Sequence, residues 1–149
     1  MNITYKPIGI IYTPFKEKAP IQPIFSSAKG IVKIYKKYKD GLKDLDGFSH
    51  IILIYHFHLS KPYKLLAKPY LDDKPKGIFA IRSPNRPNPI GISVVKLEKI
   101  EGIELHVRNV DILNETPLLD IKPYIPEFDC YRATSGWLSG KISSIEKDI

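Results

Sequence analysis

Proline and glycine interrupt this chain so often that little room is left for long helices. Thirteen prolines and nine glycines are spread over its 149 residues, and short runs rich in β-branched side chains lie between them. This pattern is typical of many short strands joined by turns. The predicted strands are residues 8–12, 30–35, 50–59, 78–81, 92–97 and 103–107. We therefore predict a mainly β fold.

Turn chemistry adds one hairpin and one short helix to this prediction. Residues 93–100 and 103–110 flank Glu101-Gly102, a two-residue spacing that suits a β-hairpin. A short helix is expected around residues 36–45. Because no repeat, low-complexity tract or linker occurs, we predict one domain over residues 1–149, with a core of residues 3–138 and a C-terminal extension of residues 139–149.

The strand predicted at residues 50–59 is apolar on both faces. Ile52 and Ile54 occupy one face, and the residues that alternate with them are equally apolar. A strand with this pattern is expected to be central and buried.

Three histidines lie on one face of the same strand. The period of two aligns His50, His56 and His58, and a His-x-His pair is one way to present two imidazoles to a metal ion. Such a site needs further ligands and supporting residues, and no carboxylate lies within this segment. Polar ends of a buried strand, with His58 near a ligand pocket, explain the histidines as well, and we predict no metal site.

Composition restricts the compartment and the chemistry. Hydrophobic residues make up 43% of the chain, which is enough for an ordinary core. No run approaches the ~18 apolar residues of a membrane span, and no N-terminal signal pattern is found, so we expect a cytoplasmic protein. Cys130 is the only cysteine, which excludes an internal disulfide, a cysteine-ligated zinc site and a CxxC redox centre.

Several well-known catalytic motifs are missing. No Gly-x-Gly occurs, although the commonest methyltransferase and dehydrogenase architecture needs a Gly-rich turn. The Walker phosphate loop, Gly-x-Ser-x-Gly and His-Glu-x-x-His are absent as well. A conventional NTPase, serine hydrolase or zinc protease is therefore not expected.

The charge of the chain is strongly positive and unevenly distributed. A formal net charge of +7 favours a polyanionic partner such as nucleic acid. The alternative is that all proteins of the source have lysine-rich surfaces, in which case the charge says nothing about a partner. One segment, residues 61–76, is here called the basic stretch. It contains Lys61, Tyr63, Lys64, Lys68, Tyr70, Lys74 and Lys76. Its lysines could neutralise phosphates and its tyrosines could stack on unpaired bases; a solvated loop with packed tyrosines is the alternative.

The densest polar segment is Arg-Ser-Pro-Asn-Arg-Pro-Asn-Pro-Ile-Gly at residues 82–91. Its first eight residues, 82–89, are here called the proline loop. Three prolines restrict the backbone, so Arg82, Asn85, Arg86 and Asn88 are presented with little ordering entropy left to lose. Guanidinium groups suit a carboxylate or phosphate, and carboxamides suit the edge of a base. A stiff connection whose arginines cap backbone carbonyls explains the same residues.

A second polar turn interrupts the apolar residues of the segment 109–124. Asn114, Glu115, Thr116 and Pro117 form this turn, and a β-turn exposes backbone groups that can read an adenine edge. Asp120 and Lys122 alternate with apolar neighbours and could be no more than the polar face of a strand.

These segments resemble the TsaA-like, or TrmO-like, family of tRNA methyltransferases. The similar segments are residues 7–16, 45–51, 57–58, 77–91, 120–124, 132 and 136–138. They span nearly the whole chain, and the run at residues 82–91 is highly specific.

The resemblance implies a fold, a cofactor and a reaction. The implied fold is a single antiparallel, barrel-like β domain of short strands with one or two short helices, not a Rossmann fold. The implied cofactor is S-adenosyl-L-methionine, usually bound in a homodimer with its pockets near the subunit interface. The implied reaction is methylation of N6 of N6-threonylcarbamoyladenosine, beside the anticodon of threonine tRNA. We expect this chain to lack the separate C-terminal domain of longer relatives.

The resemblance also assigns residues to the cofactor. The implied contacts are Pro20, Ile21, Gln22, His58, Leu59, Arg82, Asn114, Glu115, Thr116 and Pro117. Family members often have arginine in place of Ile21, and Asp-Gly in place of Asn114-Glu115, so an arginine contact is lost here.

Methyl transfer from a sulfonium needs chiefly alignment and exclusion of water, and no metal. We predict that Arg82 and Arg86 bind anionic groups and that Asn85 and Asn88 orient the base or the loop. Asp120 and Tyr124 are the candidates for the general base. Two alternatives stay open: a non-catalytic module that binds S-adenosyl-L-methionine or RNA, and a methyltransferase with another acceptor.

Overall fold

The computed structural model describes residues 1–144, which contain a closed barrel of six antiparallel strands. In chain order the strands are β1 (Gly9–Tyr12), β2 (Lys29–Ile34), β3 (His50–His56), β4 (Leu66–Ala67), β5 (Lys76–Gly77), β6 (Ile90–Glu101), β7 (Glu104–Arg108) and β8 (Thr116–Pro123). The barrel order is β1-β2-β7-β6-β3-β8, and β8 pairs with β1 to close it. β4 and β5 form a separate two-stranded sheet. The predicted mainly β, barrel-like fold is confirmed.

Helical structure in the described residues is limited to short segments. The 3-10 segments are Pro23–Phe25, Lys36–Leu42, Leu45–Gly47, Ile78–Ala80, Gly136–Leu138 and Ile142–Ser144, and the α-helix α1 is Pro126–Asp129. The helix predicted at residues 36–45 is therefore two 3-10 segments. Asp44, with φ of 67°, separates them.

Alternation along the strands fills the barrel interior with aliphatic side chains. Every second residue of β3 is buried, and the buried positions of β7 follow the same pattern. The fully enclosed side chains include Ile11, Val32, Ile51, Leu53, Val95, Leu105, Val107 and Leu118. Each contributes about 1.5 to 3 kcal/mol through burial.

The antiparallel order gives the barrel two distinct ends. β1, β3 and β7 finish at the same end at which β2, β6 and β8 begin, and the proline loop enters β6 there. This is here called the proline-loop end. The other, the hairpin end, carries the β6–β7 turn and the segments Lys36–Leu42 and Leu45–Gly47.

The prediction of a strand at residues 78–81 is wrong. Ile78–Ala80 is a 3-10 turn in which Ile78 is buried while Phe79 and Ala80 are exposed. The Ile78 amide donates to the Leu65 carbonyl at 2.8 Å. A run of four apolar residues does not distinguish a strand from a turn that buries a single side chain.

The strand predicted at residues 50–59 is shorter and less enclosed than expected. β3 ends at His56, and a turn follows in which the Ser60 amide donates to the Phe57 carbonyl. Ile52 and Ile54 point out of the barrel and are half-buried, so only the inner face of β3 is a core face. Barrel closure gives β3 two neighbours without covering its outer face.

The predicted hairpin is confirmed, with its turn moved by one residue. Glu101 pairs with Glu104, so Gly102 and Ile103 form the turn, and Gly102 has φ of 62°. β8 begins within the predicted turn at residues 114–117, and Asp120 and Lys122 lie on its outer side, 3.5 Å apart between Oδ2 and Nζ. Of the predicted extension, residues 145–149 lie outside the described part of the chain.

Candidate functional site

The segments assigned to the cofactor meet at the proline-loop end. Each belongs to a connection at this end: residues 20–22 to the loop between β1 and β2, 58–59 to the segment after β3, Arg82 to the loop before β6, and 114–117 to the turn that leads into β8. They lie up to 97 positions apart in the sequence, from Pro20 to Pro117. Barrel closure is therefore what brings them together.

Arg82 and Gln22 connect two of these segments directly. Arg82 Nη1 donates a hydrogen bond to Gln22 Oε1 at 2.7 Å, and both groups lie at the surface. Within residues 1–144, Arg82 makes no other hydrogen bond to the protein. Its remaining guanidinium donors are available for an anionic group. Ile21 is 43% exposed beside this pair, and Pro20 is half-buried.

The proline loop is held by its own side chains. Arg86 Nη1 donates to the carbonyls of Ile81 at 2.7 Å and Ser83 at 3.2 Å. Asn85 Oδ1 accepts the Lys61 amide at 2.7 Å, which ties the loop to the basic stretch. One nitrogen of Arg86 therefore caps backbone carbonyls, as expected if the proline loop is a stiff connection. That the other guanidinium nitrogens of Arg86 bind an anion stays a prediction.

Asn114 fixes the turn that leads into β8. Its Oδ1 accepts the Thr13 amide at 3.0 Å, and its own amide donates to the Phe15 carbonyl at 2.6 Å. Glu115 has φ of 67° in the left-handed region, which favours glycine. The side chain of Asn114 is therefore occupied within the protein, whereas the turn backbone of Glu115 and Thr116 faces the proline-loop end.

His58 lies beside this turn. Its Nδ1 is 3.4 Å from the Thr116 hydroxyl, which also donates to the Leu113 carbonyl at 2.6 Å. Partial burial is the largest cause lowering the pKa of His58, followed by the nearby His56, while Glu115 acts in the opposite direction. The imidazole is therefore neutral at pH 7. Leu59 is 57% exposed next to it.

A chain of three polar side chains, of which Tyr55 and Ser93 are buried and Asp111 is half-buried, reaches the same end, and sequence reasoning missed it. The Tyr55 hydroxyl is 2.8 Å from Ser93 Oγ, which donates to Asp111 Oδ1 at 2.6 Å. Burial is the main cause raising the pKa of Asp111 to about 6, and the Ser93 hydrogen bond and Arg82 lower it. Burial and Asp111 raise the pKa of Tyr55, so its hydroxyl stays protonated.

The two predicted general bases lie away from this group. Asp120 pairs with Ile54 on the barrel wall and contributes to a cavity of about 480 Å³ that opens toward the hairpin end. Tyr124 lies at that end, where its amide donates to the His50 carbonyl at 3.1 Å. Within one chain neither is brought together with Arg82, and their catalytic role stays a prediction.

Only part of the basic stretch is exposed and available to bind a partner. Lys61, Lys64 and Lys68 are exposed, as are Tyr63 at 48% and Tyr70 at 76%. Lys76 instead lies 3.3 Å from Asp72 Oδ2. The pKa of Asp72 is well below its usual value, mainly because of Lys141, whose Nζ lies at 2.6 Å.

Residues 1–144 hold neither a candidate metal centre nor a helix suited to span a membrane. They contain no group of three or more histidine, cysteine, aspartate or glutamate side chains that could hold a metal ion. No helix in this part of the chain is long and apolar enough to cross a membrane.

Known proteins share both the sequence and the barrel. A family described as the tRNA-methyltransferase O N-terminal domain matches residues 10–130. A probable S-adenosyl-L-methionine-binding protein of Pyrococcus abyssi is 52% identical over 99% of this chain and 82% of its own length. A human tRNA (adenine(37)-N6)-methyltransferase is 37% identical over 86% of this chain, which spans 31% of that protein.

A crystal structure of TrmO from Pseudomonas aeruginosa superimposes with a TM-score of 0.78 and 35% identity, covering 92% of this chain and 63% of that one. The family match extends over most of the chain and includes the turn, the proline loop and Asp111. This chain belongs to the TsaA-like family, in the branch defined by the tRNA-methyltransferase O N-terminal domain.

Proposed function

We propose that this protein binds S-adenosyl-L-methionine at the proline-loop end and transfers its methyl group to N6 of an adenine in tRNA. The specific acceptor that we propose is N6-threonylcarbamoyladenosine of threonine tRNA, and we propose that the reaction takes place in the cytoplasm. The observation that carries the proposal is the meeting of four sequence-distant segments at one barrel end. The names of the relatives support the cofactor and the tRNA acceptor.

The side chains at this end fit the cofactor. Arg82 offers free donors for the carboxylate of its methionine part, and the backbone of the turn at Glu115 and Thr116 can contact the adenine edge. The neutral His58 adds no positive charge next to a sulfonium cation. When bound, the cofactor supplies a methyl group that is already activated for transfer.

Isothermal titration with S-adenosyl-L-methionine tests this placement. Arg82→Ala is expected to weaken binding about tenfold or more, because a charge-assisted hydrogen bond is lost. Arg108→Ala is the matched control, since Arg108 pairs with Glu98 on the barrel wall. Equal affinities of the two variants would remove Arg82 from the site.

Transfer itself is tested with labelled cofactor and tRNA from a strain that lacks the gene. We expect label in tRNA, and mass spectrometry of the nucleosides should show the methylated threonylcarbamoyl nucleoside only in wild-type tRNA. Binding without transfer would favour the non-catalytic module that the name of the Pyrococcus relative also describes. Label in a different nucleoside or RNA would replace the proposed acceptor.

The basic stretch is the proposed tRNA contact. Asn85 joins its first lysine to the proline loop, so phosphates bound there lie next to the site. Replacing Lys61, Lys64 and Lys68 by Ala should weaken tRNA binding and lower its salt dependence by roughly two to three counterions. The matched control replaces Lys36, Lys37 and Lys39 at the hairpin end, where the same charge is removed. Equal losses would point to unspecific attraction only.

We also propose a homodimer through the outer face of β3 and β6. Ile52 faces Val94 and Ile54 faces Ile92 across these strands, and Ile92 is 59% exposed. An apolar outer surface of this kind marks an interaction face, and one self-complementary patch suits a twofold dimer. Light scattering should give a dimer that Ile92→Glu dissociates and Tyr35→Glu, at the hairpin end, does not. A monomeric wild type would overturn this proposal.

A further inference from the structure

The hydrogen-bonded chain from Tyr55 to Asp111 has one direction. A carboxylate only accepts hydrogen bonds, so Ser93 must donate to Asp111 Oδ1, and the Tyr55 hydroxyl must then donate to Ser93 Oγ. Both donors belong to barrel strands, Tyr55 to β3 and Ser93 to β6, and both are buried. The carboxyl group is therefore held by rigid elements.

The carboxyl group of Asp111 can accept a further partner. Within the described residues Ser93 is the one other residue that hydrogen-bonds the carboxyl, at Oδ1, and the backbone amide of Asp111 itself also donates to it. The side chain is only half-buried, so a bound molecule can approach it. Arg82 is the charged group that acts on Asp111 from the proline loop, and Tyr55 is the titratable group beneath it.

We propose that Asp111 is the proton acceptor of the methyl transfer and that Ser93 and Tyr55 position it. This inference rests on the proposed function. An N6 atom that gains a methyl group must lose its proton. In the balanced step the nitrogen forms the N–C bond, the C–S bonding electrons stay with sulfur, and the N–H proton moves to a lone pair of the Asp111 carboxylate. The proton then leaves to solvent.

Asp111 suits this role better than Asp120. Asp120 is half exposed and lies 3.5 Å from Lys122 on the outer wall of the barrel, away from Arg82 and the proline loop. Asp111 is half-buried, and partial burial raises its pKa to about 6. A carboxylate of this kind is ionised at neutral pH and still accepts a proton more readily than an ordinary one.

The test compares Asp111→Asn with Asp46→Asn, which removes an exposed carboxylate at the hairpin end. Asp111→Asn is expected to lower kcat on tRNA by about 10² to 10⁴ and to leave the affinity for S-adenosyl-L-methionine within about threefold. The wild-type rate should fall on the acid side near pH 6. In Ser93→Ala this fall in rate should occur at a higher pH, because the hydrogen bond that favours the ionised carboxylate is lost.

Carbon-13 NMR of the aspartate carboxyl groups provides a readout without turnover. One carboxyl should titrate near pH 6, disappear in Asp111→Asn and titrate at higher pH in Ser93→Ala. Full activity of Asp111→Asn, or loss of cofactor binding in that variant, would overturn the role as proton acceptor. If instead wild type transfers no label to any RNA, the proposed function fails, and this outcome is distinct because it does not depend on the variant.

Discussion

The two ends of this barrel differ in the side chains that line them. At the hairpin end Tyr38, Leu42, Leu45 and Ile103 pack against the core, and the first three of them also line the cavity of about 480 Å³ there. At the proline-loop end the half-buried carboxyl of Asp111 is hydrogen-bonded to the polar side chains below it. The same six strands therefore carry an apolar cavity at one end and a hydrogen-bonded titratable group at the other.

Positive backbone φ angles occur at both ends. At the hairpin end Gly102 and Asp44 have φ of 62° and 67°, and at the proline-loop end Asn109 and Glu115 have φ of 71° and 67°. Asparagine and aspartate tolerate this conformation better than most residues with a Cβ, so Glu115 is the most strained of the four. Such strain persists only where the surrounding structure holds the backbone in place.

The largest effect is expected at Gly91, next to the side chain of Tyr55. A Cβ there would collide with the rings of Tyr55 and Phe57, whereas one on Gly41, at the hairpin end, would meet nothing within 4 Å. Gly91→Ala should lower the free energy of unfolding by about 3 kcal/mol, and Gly41→Ala should change it by less than about 0.5 kcal/mol. Urea denaturation measures both, and equal tolerance would contradict the close packing around Tyr55.

Partial burial of the Asp111 carboxyl should make the free energy of unfolding depend on pH. The folded pKa of Asp111 is about 6 and its unfolded value 3.8, so the folded state binds the proton more tightly. Stability from this group therefore falls as pH rises from about 4 to about 6 and stays lower above that window. Asp111→Asn should raise the free energy of unfolding by about 3 kcal/mol at pH 8 and by much less at pH 4.

Asp46→Asn, at the hairpin end, is expected to change neither value. Chemical denaturation at the two pH values checks both variants. An Asp111→Asn protein that is destabilised equally at pH 4 and pH 8 would show that the carboxyl is a structural hydrogen-bond acceptor and not a strained functional group.

The smallest effects on stability are expected from substitutions in two turns with positive φ, one at Glu115 and one at Gly102. Glu115→Gly should stabilise the protein by about 0.5 to 1 kcal/mol, because glycine tolerates the positive φ, and Gly102→Ala should destabilise it by about 1 kcal/mol. Both changes are measured as shifts in the midpoint of urea denaturation. A loss of stability in Glu115→Gly would mean that the Glu115 side chain, not its backbone, determines this turn.

The sequence predicts the strands better than it predicts the site. Runs of β-branched residues located β1, β2 and the β6–β7 hairpin, because alternation and turn residues are local signals. The error at residues 78–81 arose because four apolar residues carry no period. The outer exposure of Ile52 and Ile54 could not be predicted, since it depends on closure of the barrel.

The Asp111 carboxyl was missed for a related reason. Asp111 lies between Val110 and Ile112, and this alternation is typical of the outer polar face of a strand. Its carboxyl is hydrogen-bonded by Ser93 and, through Ser93, linked to Tyr55, which are 18 and 56 positions away. The single local clue was a carboxylate inside an apolar run, just before the turn that the resemblance assigns to the cofactor.

We propose that S-adenosyl-L-methionine binds at the proline-loop end and not at the hairpin end. Hydrogen exchange followed by mass spectrometry, with and without the cofactor, tests it most directly because both ends are measured in one experiment. We expect slower exchange at residues 20–28, 82–91 and 109–116, and no change at residues 36–47 and 99–104. Protection confined to the hairpin end, around the cavity that Asp120 lines, would contradict the account.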